Sequence, residues 1–114
     1  MSKKRYVITA SAINKRGRVI SQATNSYQKS NPKQKQFSIL AGMSDKRIYL
    51  HSEIASLLRA RGAYVHTLKI ERYDSQGNPK LAWPCPSCQL FIKEYGVKRV
   101  VFTTEEGFKE WIVQ

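Results

Sequence analysis

Apolar residues set among small ones open the chain, and Tyr6, Val7, Ile8 and Ile13 within residues 5–13 predict a first β-strand. Asn14-Lys15-Arg16-Gly17 reads as a hairpin turn, with glycine available for the left-handed position, and a second strand from Arg18 to about Asn25 pairs back antiparallel. From Ser26 to about Lys46 the pattern is polar and basic. It is broken at Asn31-Pro32 and carries one small apolar group, Phe37, Ile39 and Leu40. A stretch of this length is either functional or holds a short helical turn of its own, Lys35 to Gly42. Ile48-Tyr49-Leu50 then leads into a helix from His51 to about Arg61. Ile54, Leu57 and Leu58 give it a buried face, and Gly62 ends it. Tyr64 to Tyr73 is the next strand, with His66 on the face of Leu68 and Ile70, and Ser75 to Pro79 is a turn. After Leu81-Ala82-Trp83 a second helix runs from about Pro86 to Tyr95, with Cys88, Phe91, Ile92 and Tyr95 on one face and Gly96 as its stop. Val97 to Thr104 is apolar enough for the centre of a sheet. Strand and helix periods both fit Phe108, Trp111 and Ile112 in the last segment, Phe108 to Val113.

The order strand, strand, helix, strand, helix, strand, with a short terminal element, predicts an α/β sandwich on a mixed sheet. Helix crossovers imply parallel neighbours, and the initial hairpin adds an antiparallel edge. Both helix starts then fall on one edge of the sheet, where such folds place their ligands. At 114 residues the chain is expected to form a single domain, 1–114, with one core.

Composition adds two facts. The only two cysteines lie in one short motif behind a polar, basic start with no signal peptide, which fits a reducing cytoplasm, and no apolar run approaches membrane-spanning length. The net charge is +12, and residues 1–47 hold eleven Lys and Arg against the single acid Asp45. A polyanion is the natural partner of such a field, with a merely soluble basic surface as the lesser alternative.

The candidate chemistry sits in His51-Ser52-Glu53 and Trp83-Pro84-Cys85-Pro86-Ser87-Cys88. HxE followed by PCxxC is the spacing of zinc-dependent nucleobase deaminases. One imidazole and two thiolates give zinc three protein ligands and leave a position for water, whose pKa the metal lowers towards neutrality. Glu53 would be the proton shuttle, taking a proton from that water and delivering protons to the ring nitrogen and the leaving ammonia. Cys85 and Cys88, three apart at a helix start, share a face where thiolate is favoured. His51 and Glu53 can share a site only in the first turn of their helix. Two other uses of the cysteines stand beside this one. A thiol redox pair is disfavoured because thioredoxin-like domains need much of their fold after the motif, and a closed structural zinc site would need His66 as its fourth ligand.

With His51-Ser52-Glu53 opening the first core helix and Pro84-Cys85-Pro86-Ser87-Cys88 opening the second, the chain resembles the zinc-dependent cytidine and deoxycytidylate deaminase superfamily. It looks like a compact phage or bacterial member over residues 5–113. The resemblance implies a three-layer cytidine deaminase-like sandwich, zinc held by His51, Cys85 and Cys88, and Glu53 as general acid and base. It implies that Asn25 contacts the sugar, although many relatives have glycine where Ala23 stands. Backbone groups around Ser52, Glu53, Trp83 and Pro84 would hold the polar edge of the base; many relatives have alanine at position 52. The Trp83 ring itself could equally be a core side chain. In free-nucleoside members the last core strand runs antiparallel after a tight turn. Thr104-Glu105-Glu106-Gly107 leaves no room for a full crossover, which favours that arrangement here. The family often assembles as homo-oligomers, while Arg59 and Arg61 make one helix face polar and leave a monomer open.

The metal motif names deamination and not the base. Family resemblance favours cytosine in a nucleotide. The basic amino-terminal half favours single-stranded nucleic acid, with Lys29, Lys33 and Lys35 as phosphate contacts and Tyr27, Phe37 and Trp83 as stacking surfaces. Adenine in RNA uses the same chemistry. A nucleic-acid-binding module that keeps the fold and the zinc but performs no turnover is a further alternative, which the presence of Glu53 weighs against.

Overall fold

The computed structural model describes residues 7–24 and 52–113. Strands β1 (Val7–Ile13) and β2 (Val19–Thr24) form the expected hairpin. The Asn14 side chain builds its turn, with Oδ1 accepting the backbone N–H of Arg16 and of Arg18 at 2.9 Å each, and Gly17 takes the left-handed position at φ +84°. Helix α1 (Ser52–Arg59) follows. The chain leaves it through Arg61 and Gly62 at positive φ, two residues short of the expected end. Strand β3 spans Thr67–Tyr73, helix α2 Pro86–Tyr95, β4 Arg99–Thr104 and β5 Gly107–Ile112.

The sheet order is β2-β1-β3-β4-β5. β1 is antiparallel to both β2 and β3, β3 and β4 are parallel, and β5 returns antiparallel along β4. The terminal segment, ambiguous by period, is therefore a strand, because its pairing with β4 decides what local spacing leaves open. This is the mixed α/β sheet with an antiparallel amino-terminal hairpin that the pattern predicts.

Strand alternation divides the sheet into two faces. Ala10 and Ala12 of β1, Leu68 and Ile70 of β3, and Val100 and Phe102 of β4 are buried on one face, in a single cluster with Ile54 and Leu57 of α1 and Cys88, Phe91 and Ile92 of α2. Both helices thus pack on that face. The other face shows Ser11, Lys69 and Val101 in register across β1, β3 and β4, and no described helix covers it. The second helix layer of a three-layer sandwich is not formed by the described residues. No described helix is long and apolar enough to cross a membrane.

Two local devices hold the helix ends. Gly96, at φ +96°, turns the chain out of α2 while its N–H reaches the carbonyls of Ile92 and Lys93. Thr103 Oγ1 accepts the Arg72 N–H at 3.0 Å and donates to the Lys80 carbonyl at 2.7 Å, fastening the segment that leads to α2 onto the end of the sheet.

His66 departs from its expected place. It precedes β3, and its carbonyl accepts the N–H groups of both Lys98 and Arg99. That bend breaks the alternation counted back from Leu68. The half-buried imidazole ring accordingly sits with Thr67 and Lys69 of the other face, with Nδ1 2.9 Å from Thr67 Oγ1.

Candidate active site

Cys85 is the N-cap of α2, in extended conformation at φ −67° and ψ 165°, with Pro86 in the first turn. Its carbonyl accepts the Gln89 N–H at 2.9 Å, the first bond of the helix. No side chain caps this end and no acid occupies its first turn, but burial outweighs the helix N-terminus at Cys88, where the expected preference for thiolate is reversed. Cys88 is fully buried and Cys85 half-buried, and Cys85 Sγ lies 3.1 Å from Ser87 Oγ.

Glu53 comes from the first turn of the other helix and is only 5% exposed. The buried Ser52 hydroxyl donates to Glu53 Oε1 at 2.7 Å. α1 is fixed in turn to the sheet edge: Ser21 Oγ donates to the Ser56 carbonyl at 2.7 Å, and Arg59 Nη1 to the Gln22 carbonyl at 2.9 Å.

The two helix starts meet at Cys88. Burial first, then the Cys85 sulfur and the Glu53 carboxylate facing it, push the Cys88 thiol well above its usual pKa. Cys88 thus stands beside both a second soft sulfur donor and a carboxylate. That donor chemistry fits zinc, which stabilises the thiolate. Among the described residues no set of three or more metal-ligating side chains is complete; His51, the third expected ligand, lies outside them.

Asn25, Lys29, Lys33 and Lys35 also lie outside the described residues, as do Tyr27 and Phe37. Pro84 is fully buried, and its carbonyl accepts from Gln89 Nε2 at 2.8 Å. Trp83 is 44% exposed. Its ring meets Phe102 edge-on at 5.1 Å and tilts against Trp111 at 5.2 Å, so it is neither a core side chain nor a free one. It lines an open groove of about 550 Å³ with Leu81, Phe102, Glu106 and Lys109.

Three contributors escape the sequence reading. Ser87, inside the CxxC, faces Cys85, and Gln89 pins the Pro84 turn; their spacing from Cys85, two and four residues at a helix start, is the only signal they give. The Ser21–Ser56 link has none, since it depends on how α1 crosses β2.

No protein-family model matches the chain, and no curated protein does. Among solved structures it is similar to cytidine deaminase from Mycobacterium leprae, with a TM-score of 0.51, 17% identity, and 93% of this chain and 75% of that one covered. A glutamate-to-glutamine mutant of cytidine deaminase from Mycobacterium tuberculosis gives a TM-score of 0.48 and 19% identity, covering 86% of this chain and 66% of that one. The five-stranded mixed sheet with its two helices on one face is the cytidine deaminase-like fold.

Proposed function

We propose that the chain is a zinc-dependent hydrolytic deaminase converting cytosine to uracil in a free nucleotide or nucleoside. The observation that carries this reading is the buried Glu53 carboxylate, brought from the start of α1 against the Cys85–Cys88 pair at the start of α2. Cys85, Cys88 and His51 would hold the metal, which when bound supplies a water acidified towards neutral pH. Glu53 takes a proton from the attacking water and returns protons to the ring nitrogen and the departing amine, a carboxylate serving in turn as base and acid. Ser52 donates to Oε1 of Glu53 and fixes the carboxylate's orientation. Gln89, by holding the Pro84 carbonyl, sets the backbone of the Trp83–Cys85 turn against which the base would lie.

The antiparallel β5 supports a free substrate, since it is the terminal arrangement implied for free-nucleoside enzymes. The concentration of basic residues in 1–47 favours a second reading, deamination of cytosine within single-stranded DNA or RNA.

Zinc-loaded protein should be offered cytosine as nucleoside, mononucleotide and single-stranded oligonucleotide at low and moderate salt, beside Glu53→Ala. Conversion of the free substrates, absent in the variant, is the expected result. Salt-sensitive conversion of the oligonucleotide alone would favour the second reading. No conversion of any cytosine substrate by the zinc-loaded wild type overturns both.

A further inference from the structure

On the sheet face that the described helices leave uncovered, an open groove of about 470 Å³ lies between the β1–β2 turn and β5. Its size is within the about 300–1,000 Å³ common for ligand clefts. It lies at the end of β3 and β4 where those strands begin, whereas Glu53 and the cysteines lie where they finish, on the opposite face. Lys15 from the turn, Lys69 from β3 and Arg99 from β4 contribute its cations, and Phe108 from β5 its ring. Phe108 is 51% exposed, and Lys69 Nζ stands 4.9 Å from the ring centroid. The facing acids are Glu71, 3.0 Å from Lys69, and Glu110, paired with Arg99. Exposed pairs of this kind hold their cations weakly, so phosphate can compete for them.

We propose that this groove binds single-stranded nucleic acid, the cations following the backbone and Phe108 stacking an unpaired base. The cations come from three separate elements, the β1–β2 turn, β3 and β4. From β1 to β4 is two strand spacings, about 10 Å, and β5 with Phe108 adds a third, room for about two or three nucleotides of one extended strand. A duplex hides the base faces that Phe108 would stack on, and its grooves are read by protruding elements and not by a concave one. The proposal does not depend on the deaminase reading, because binding is measured without turnover.

The test is anisotropy of a labelled single-stranded 20-mer with the full chain at 50 and 200 mM salt, comparing wild type, Lys15→Glu/Arg99→Glu, Phe108→Ala, and a control of equal charge change, Arg61→Glu/Lys93→Glu, outside both grooves. The groove double variant should weaken binding at least tenfold at low salt and more than the control does. Its log-log salt slope should be shallower by about 1.4, for two phosphate contacts at about 0.7 each. Phe108→Ala should weaken binding severalfold with the slope unchanged. Deamination of a mononucleotide, if present in wild type, should be the same in all groove variants; its absence throughout would defeat the free-substrate reading and leave the groove standing. Amide shifts of the wild type on adding the 20-mer should cluster at Lys15, Thr67, Lys69 and Val101, a readout independent of whether the variants fold. Equal binding by the groove and control variants, shifts confined elsewhere, equal affinity for duplex, or full competition by a mononucleotide at matched phosphate would each overturn the proposal.

Discussion

The two faces of the same three central strands differ completely in what they carry. On the helix side, Ala10, Ile70 and Phe102 lie in register and are buried. One residue along each strand, on the far side, stand Ser11, Lys69 and Val101. The backbone ladder is common to both, so the difference is one of partners: helix-side residues are constrained by volume, and far-side residues such as Ser11 and Thr103, though buried, by hydrogen bonds. Substitutions should therefore separate into those that move catalysis, those that move stability and those that move neither.

The largest expected effect is Glu53→Ala. We expect a loss of about 10²–10⁴ in kcat with no fall in Tm, since the proposed proton shuttle is removed from a site whose packing depends on its neighbours. A melt that collapsed with the activity would show Glu53 to be structural. Cys88→Ala should abolish stoichiometric zinc, measured by metal analysis of the purified protein, because one of the two sulfurs at the α2 start is gone. Retention of one tightly held zinc would remove Cys88 from the ligand set.

Stability separates the faces next. Ile70→Ala, on the covered side, should cost about 2–5 kcal/mol in denaturant unfolding. Val101→Ala, half-buried on the far side, should cost clearly less. Equal costs would mean that the far face is also packed in solution. The smallest effect belongs to Glu71→Gln, which removes the Lys69 ion pair and should stay within about 0.5 kcal/mol.

What could be read from the sequence was local. Pro84 and Pro86 mark the start of α2 and Gly96 its end through backbone chemistry alone, and structure and pattern agree there. Alternation failed at His66 because the chain bends before Thr67, and a parity argument holds only inside a strand. Phe108 and Trp111 were undecidable because five or six residues satisfy both periods, and only β4 as a neighbour selects one. The pairing of motif cysteines with Glu53 was legible as a spacing. The hydroxyls of Ser52 and Ser87, which orient those groups, were not, since a serine's hydrogen bond depends on atoms brought close by folding.

Glu53 and Cys88 belong to separate helices that only the sheet brings together. If zinc is held as proposed, a folding chain with α2 formed but α1 undocked would offer the ion the two sulfurs without His51, the residue that precedes α1, and would exchange it readily. Tightly held zinc would then appear no faster than α1 docks on β1 and β2, so the ion would time that docking.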